Sequence, residues 1–158
     1  MGSGKTSLAN TLAERLHCRA IDLDEEITRS SGCSPAEIIQ NEGEESFRKV
    51  ETEALRRVLN GDARVIALGG GAWTMPVIRE LIGEFDCLSV WLDVDFDTCW
   101  KRILAAGENR PLAPNRQQAI ALYTKRQRLY ELAQLRVEAS AETDTTELAR
   151  QIESALDV

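Results

Sequence analysis

Apolar residues recur every three or four positions in several segments of the chain, and short continuous apolar runs lie between those segments. The helical spacing predicts helices over about 6–16, 44–60, 75–83, 96–106, 117–133 and 145–156. A further helix is predicted to begin at Ser34-Pro35, because Ser is a preferred N-cap and Pro suits the first helical position. The apolar runs predict short strands over about 19–22, 64–68, 87–92 and 136–140.

The order of these elements indicates the fold class. Short apolar strands that alternate with amphipathic helices are typical of a parallel sheet covered by helices on both faces. We therefore predict a three-layer α/β/α fold, built as a single domain over 1–158, since the sequence contains no internal repeat, low-complexity tract or linker.

Composition and charge narrow the function classes. A hydrophobic fraction of 43% and a charged fraction of 28% are ordinary for a globular protein. The formal charge of −7 disfavours a nucleic-acid partner, which needs a basic face. No apolar stretch approaches the ~20 residues of a membrane span, and no segment resembles a signal peptide. We expect a cytoplasmic, monomeric protein with no membrane partner.

Histidine and cysteine usage argues against two further kinds of chemistry. His17 is the only histidine, and Cys18, Cys33, Cys87 and Cys99 show no C-x-x-C spacing. A zinc site is therefore not expected, and neither is a hydrolase that relies on a Ser-His or Cys-His pair. We expect the cysteines to be reduced.

The first ten residues, MGSGKTSLAN, carry the second half of the phosphate-binding motif G-x-x-x-x-G-K-[ST], known as the P-loop. Gly2 and Gly4 permit a tight turn of inward-facing N–H groups, and Lys5 can reach the β- and γ-phosphates of a nucleotide. Thr6 can offer its hydroxyl to Mg²⁺. A flexible Gly/Ser leader or an expression remnant is the alternative, but it does not explain Lys-Thr on the first turn of an amphipathic helix.

The first half of the motif raises a question of completeness. Its first glycine would fall before Met1, and so would the strand that normally runs into the loop. Because that strand is central in P-loop folds, its absence would break two hydrogen-bonded ladders. We expect that the first strand is missing from this chain and that the upstream DNA encodes an apolar strand ending in glycine.

Two motifs of charged residues follow the P-loop. In DLDEE, Asp22 and Asp24 would share a face of an extended segment, where they could serve Mg²⁺ and a substrate hydroxyl. For D-x-D alone, a solvated acidic turn that caps the next helix is the favoured alternative. In GEESFRKVE, Glu51 lies within reach of Arg48 and could hold its guanidinium ready for a carboxylate. An ordinary surface ion pair is the alternative.

Three further segments offer candidate binding groups. The glycines of LGGGAW let the backbone approach a ligand closely, although an ordinary loop after a strand has the same pattern. The stretch GENRPLAPN suits a lid, about 107–116, that delivers Arg110 to a transferring phosphoryl group; a plain exposed loop is the alternative. Arg126 and Arg128 lie on a predicted helix, where a charged solvent face would normally be assumed.

The order and spacing of these motifs resemble the shikimate kinase family of the nucleoside monophosphate kinase-like P-loop group. The run is P-loop, D-x-D, G-E-x-x-F-R-x-x-E, G-G-G, R-P-L and L-Y-x-x-R-x-x-L-Y, and it covers essentially the whole chain. The resemblance implies transfer of the γ-phosphoryl of ATP to the 3-hydroxyl of shikimate, with Mg²⁺, on the pathway to chorismate. It also implies that the helical region of about 24–60 binds the substrate.

Individual roles carry over by position. The implied nucleotide-binding residues are Gly2, Ser3, Gly4, Lys5, Thr6, Ser7, Arg102 and Arg110. The implied substrate-binding residues are Asp24, Phe47, Arg48, Glu51, Gly69, Gly70, Gly71 and Arg126. The implied catalytic residues are Lys5, Asp24 and Arg110, and the implied metal ligands are Thr6 and, through water, Asp22.

The resemblance also assigns a task to several of these side chains. Asp24 binds the substrate hydroxyls and takes the proton of the attacking one. Arg48 and Arg126 grip the carboxylate, with Glu51 bracing Arg48 and Gly70 adding a backbone donor. The Arg102 side chain lies against the adenine.

The chain also departs from the family pattern. The lid reads R-P-L-A where a second leucine is common, and Arg128 stands where proline often precedes L-Y. Two other functions remain open on the residues alone. One is a different small-molecule kinase, for gluconate or a nucleotide, and the other is a non-catalytic nucleotide-binding module.

Overall fold

A computed structural model of the chain describes residues 2–107 and 112–156. The described helices are α1 (Lys5–Arg15), α2 (Leu23–Ser31), α3 (Pro35–Glu42), α4 (Glu44–Leu59), α5 (Pro76–Glu84), α6 (Phe96–Ala106), α7 (Arg116–Tyr130) and α8 (Thr145–Leu156). The described strands are β1 (Ala20–Asp22), β2 (Val65–Ala67), β3 (Val90–Val94) and β4 (Leu135–Ala139). A short 3₁₀ turn, Ala72–Thr74, precedes α5. None of the described helices is long and apolar enough to cross a membrane.

The strands pair in parallel, as the sequence predicts, but in two separate ladders. Within the described residues, β1 pairs only with β2, with Ile21 opposite Ile66, and β3 pairs only with β4, with Leu92 opposite Val137. Each ladder has two strands, so most strand residues are half-buried rather than enclosed. The α/β class and the parallel direction of the strands are confirmed.

Helix boundaries follow the sequence signals closely because each signal is local. Ser34 caps α3 in a capping box, with its side chain accepting the Glu37 N–H and Glu37 returning to the Ser34 backbone. Asp95 and Asn115 cap α6 and α7 through side-chain oxygens that accept the backbone N–H groups of Thr98 and Gln118. The structure agrees with the prediction for α6 and α8 at both ends.

Helix α2 and strand β3 differ from the prediction, and α7 ends at Tyr130, three residues earlier than predicted. Helix α2 was not anticipated, because its acidic first turn hides the apolar pair Leu23 and Ile27, both fully buried. Strand β3 begins three residues later than predicted, since the apolar residues Cys87 and Leu88 belong to the connection after α5. The differences at α2 and β3 depend on packing that a single sequence does not display.

The apolar residues form two clusters that position the helices. The first lies among α2, α4 and α5, and its fully buried members include Leu23, Ile27, Leu55 and Ile78. The second joins α1 and α8 to β4 through Leu8, Val137 and Ile152. The first cluster therefore supports the helices that carry the D-x-D and G-E-x-x-F-R-x-x-E motifs.

We expect Leu55→Ala to lower the free energy of unfolding by about 2–5 kcal/mol, because it opens a cavity beneath α4. Leu104→Ala is the matched control: Leu104 is 63% exposed, and its truncation should change stability by less than about 0.5 kcal/mol. Urea denaturation followed by circular dichroism measures both. Equal losses in the two variants would contradict this account of the core.

Candidate active site

The first feature of the site is the glycine turn that leads into α1. Gly2 and Gly4 have positive φ angles of 59° and 92°, and Gly4 is the N-cap of the helix. A Cβ on Gly2 would lie 2.5 Å from the carbonyl oxygen of Cys99, so the turn packs directly on the backbone of α6. Lys5 begins the helix, and Ser7 lies exposed in its first turn. The unpaired N–H groups of a first turn favour a phosphate.

Asp22 connects this turn to α2. The Thr6 hydroxyl donates to Asp22 Oδ2 at 2.5 Å, and Asp22 Oδ1 accepts the backbone N–H groups of Asp24 and Glu25. The alternative that the acidic run caps the next helix is therefore correct for Asp22, and the same carboxylate also reaches the P-loop. Hydroxyl and carboxylate oxygens are the ligands that Mg²⁺ prefers, so this pair fits the ion.

Asp24 is placed by α2 rather than by an extended strand. The expectation that Asp22 and Asp24 share a strand face is wrong, because Asp24 lies in the first turn of the helix. That turn directs its carboxylate to the glycine loop after β2, where a Cβ on Gly69 would lie 2.9 Å from Asp24 Oδ1. The same Cβ would lie 3.2 Å from Glu51 Oε1, so two carboxylates meet where Gly69 has no side chain.

Arg48 forms a partly buried ion pair rather than a surface one. Its guanidinium donates to Glu51 Oε2 at 2.6 Å and to Glu44 Oε1 at 2.8 Å. Glu51 is fully buried, and the Arg48 side chain is 14% exposed. A Cβ on Gly71 would collide with the Arg48 guanidinium, so Arg48 can occupy this position only because residue 71 has no side chain.

Burial and the partner's charge have opposite effects on the pKa of each residue in this pair. Burial raises the pKa of Glu51 above its usual 4.5, and the charge of Arg48 only partly offsets that effect. Burial also lowers the pKa of Arg48, but the charges of Glu51 and Glu44 outweigh it and the net pKa is raised. Glu51 Oε1 has no hydrogen-bond partner among the described residues, which is unusual for a buried oxygen.

Arg126 is the second guanidinium near this loop. It is 8% exposed. Burial has the largest effect on its pKa and lowers it; the Tyr130 hydroxyl raises the pKa, the charge of Arg48 lowers it, and the net pKa is lowered. No ion pair of Arg126 is found within residues 2–107 and 112–156. The expectation of a solvent-facing helix surface holds for Arg128, which is exposed, but not for Arg126. A buried guanidinium without a carboxylate partner is suited to binding an anionic ligand.

Arg102 lies beside the P-loop at the edge of a cavity of about 300 Å³. Its guanidinium donates to the Ser3 carbonyl oxygen at 3.0 Å. The cavity is also lined by residues that the sequence interpretation missed, which are Ala139, Ser140, Thr143 and Leu148. Ala139, Ser140 and Thr143 could have been found from their place at or just after the carboxyl end of the last predicted strand, because the carboxyl ends of parallel strands are where ligands bind.

Phe47 and Arg110 are the two remaining site residues that the sequence predicts. Phe47 is 4% exposed and belongs to the first core cluster, and its ring lies 5.1 Å from the Arg48 guanidinium carbon. Arg110 and the rest of the lid segment 108–111 lie outside the described residues.

The buried ion pair generates a pH-dependent prediction. Arg48→Ala should lower the free energy of unfolding by about 3–5 kcal/mol at neutral pH, because it leaves Glu51 buried without its counter-charge. Loss of Arg48 raises the pKa of Glu51 further, so the folded variant holds a proton that the unfolded chain has released. Its stability should therefore fall as the pH rises from about 5 to about 8, more steeply than in the wild type.

Urea unfolding at several pH values measures this difference. Lys49→Ala is the control, since it removes a neighbouring cation whose partner, Glu45, is 88% exposed. Parallel pH profiles for Arg48→Ala and the wild type would contradict a buried, proton-binding Glu51.

Comparison with known proteins places this geometry in a family. The family model described as shikimate kinase matches residues 1–157. A shikimate kinase of Cereibacter sphaeroides is 38% identical over 159 residues, covering 99% of this chain and 78% of the relative. One of Moorella thermoacetica is 36% identical over 158 residues, covering 99% and 90%.

Solved structures agree with the sequence comparison. Shikimate kinase from Acinetobacter baumannii, in complex with shikimate, superposes with a TM-score of 0.89 at 32% identity, covering 99% of this chain and 88% of that one. Shikimate kinase from Bacteroides thetaiotaomicron superposes with a TM-score of 0.86 at 26% identity. The P-loop, the parallel strands and these relatives together show that the chain belongs to the shikimate kinase family, a family of phosphoryl-transferring enzymes.

Proposed function

We propose that this kinase transfers the γ-phosphoryl of ATP to the 3-hydroxyl of shikimate, giving 3-phosphoshikimate for chorismate biosynthesis. The observation that carries the proposal is the pair of guanidinium groups, Arg48 and Arg126, at the glycine loop beside Asp24. Shikimate combines a carboxylate with ring hydroxyls, so it requires both kinds of partner. The related enzyme from Acinetobacter baumannii was solved in complex with shikimate.

The substrate side of the site binds and orients the acceptor. Arg48 and Arg126 hold the carboxylate, and the N–H of Gly70 adds a donor in a peptide plane fixed by the Ala72 N–H to the Gly69 carbonyl. Asp24 accepts hydrogen bonds from the ring hydroxyls and takes the proton of the attacking one. Positioning of this kind supplies much of the acceleration in phosphoryl transfer.

The nucleotide side binds the phosphates and the base. The P-loop N–H groups and Lys5 hold the phosphates, Arg110 from the lid stabilises the charge of the transferred group, and Arg102 lies against the adenine. Thr6 and, through water, Asp22 hold Mg²⁺. When bound, the ion neutralises charge that develops on the phosphate oxygens.

We propose a monomer as the working unit. The need for ATP supports the cytoplasm as its compartment. The two other functions make different demands on the chain. A gluconate or nucleotide kinase of the same group would retain Lys5 and Thr6 without needing both guanidinium groups. A non-catalytic nucleotide-binding module would need neither Asp24 nor the guanidinium pair.

An ADP-release assay with shikimate, gluconate and nucleoside monophosphates tests the proposal. We expect turnover only with shikimate, and an absence of turnover with shikimate would refute it. Arg48→Lys keeps the positive charge beside Glu51 but loses the two-pronged geometry, so the KM for shikimate should rise about tenfold or more while the KM for ATP stays within about twofold.

Arg56→Lys is the matched control, because Arg56 lies exposed on the same helix. It should leave both KM values unchanged. Equal increases in the two KM values of Arg48→Lys would contradict the carboxylate-binding role.

Mg²⁺ dependence tests the Thr6–Asp22 pair. Chelation with EDTA should abolish ADP release, and Mg²⁺ should restore it. Thr6→Ala removes a ligand oxygen, so the Mg²⁺ concentration for half-maximal rate should rise about tenfold or more, whereas Thr6→Ser keeps the hydroxyl and should stay near the wild type. An unchanged Mg²⁺ requirement in Thr6→Ala would remove Thr6 from the metal site.

A further inference from the structure

Two hydrogen bonds join the end of α7 to the glycine loop and to the 3₁₀ turn that follows the loop, and α7 provides the donor of one and the acceptor of the other. The Tyr130 hydroxyl donates to the Gly70 carbonyl oxygen at 2.6 Å. The Trp73 indole N–H donates to the Leu129 carbonyl oxygen at 3.0 Å. Trp73 is itself fixed, because Arg79 of α5 donates to its carbonyl oxygen at 2.7 Å. Two elements far apart in sequence are thus joined at the site.

Tyr130 also reaches the second guanidinium. Arg126 and Tyr130 are four residues apart and therefore share one face of α7. Burial, the larger effect, lowers the pKa of Arg126 overall, although the Tyr130 hydroxyl raises that pKa. Burial raises the pKa of Tyr130, so the phenol keeps the proton that it donates to Gly70 and its oxygen can accept from Arg126.

Arg126 needs such a contact more than Arg48 does. Arg48 is held by the carboxylates of Glu44 and Glu51. Arg126 has no ion pair in the part of the chain that the structure describes. Burial and then the charge of Arg48 lower its pKa, and the opposing effects of Tyr130 and Glu44 are smaller in sum. Like charges repel, and the charge of Glu44, which acts on both guanidinium groups, only partly offsets that repulsion at Arg126. A neutral contact that holds Arg126 therefore helps to keep the two groups close before an anion arrives.

We propose that Tyr130, supported by Trp73, is a positioning residue that holds Arg126 in register with the glycine loop, so that both guanidinium groups face one carboxylate. This inference rests on the proposed function and adds residues to it. Tyr130 acts through Arg126 and Gly70, and it touches neither the phosphoryl group nor the nucleotide. Its effect should therefore be confined to binding of the acceptor.

Tyr130→Phe tests this role, because it removes the hydroxyl while keeping the ring that packs against Trp91 at 6.1 Å between centroids. We expect the KM for shikimate to rise about tenfold, since the Gly70 carbonyl and Arg126 both lose a partner. The KM for ATP and kcat should stay within about threefold. Trp73→Phe, which removes the indole donor, should shift the KM for shikimate in the same direction.

Tyr123→Phe is the matched control. Tyr123 lies on the same helix, and its hydroxyl also donates to a backbone oxygen, that of Val94, at 2.9 Å. A purely structural role would give Tyr130→Phe and Tyr123→Phe the same loss of melting temperature and the same kinetics. Unchanged shikimate KM values in both Tyr130→Phe and Trp73→Phe would overturn the inference.

A double-variant cycle identifies the route of the effect. If Tyr130 acts partly through Arg126, adding Tyr130→Phe to Arg126→Ala should raise the KM for shikimate by clearly less than the roughly tenfold expected when Arg126 is present. Full additivity of the two effects would overturn the inference. Wild-type turnover with shikimate separates the outcomes, since its absence would refute the proposed function, whereas its presence with an unaltered Tyr130→Phe would refute only this role.

Discussion

The buried ion pair between Arg48 and Glu51 is the interaction on which the substrate side of the molecule depends. Glu51 is fully buried on α4, and the Arg48 guanidinium, 2.6 Å away, provides its nearest counter-charge. The pair in turn fixes the direction of Arg48, whose remaining N–H groups are available to a ligand. A pair of this kind contributes more to orientation than to stability, because desolvation consumes much of its attraction.

The glycine loop after β2 is where the elements of the site meet. Asp24 and Glu51 approach Gly69, the Tyr130 hydroxyl binds Gly70, and Arg48 lies against Gly71. Side chains at the first and last of these positions would collide with the groups that the site requires. The absence of side chains thus allows α2, α4 and α7 to converge on one short stretch of backbone.

Helix α2 links the two halves of the proposed site. Asp22 caps the helix and accepts the Thr6 hydroxyl of the P-loop, and Asp24, two residues later, faces the glycine loop. One helical turn therefore sets the spacing between the proposed metal ligand and the proposed proton acceptor. This explains why two carboxylates so close in sequence can serve different partners.

The sequence alone predicts the type and order of most elements, the cap at Ser34 and the family, because helical spacing, capping residues and motifs are properties of short segments. The tertiary structure decided which charged groups are buried. Helical spacing alone does not distinguish Arg126 from its exposed neighbour Arg128, and it does not mark Tyr130 as a partner of Gly70, 60 positions away. The pairing of strands into two ladders was likewise decided in three dimensions. The physical reason is the same in each case: burial, and the charge state and hydrogen bonding that follow from it, depend on contacts between segments that are distant along the chain.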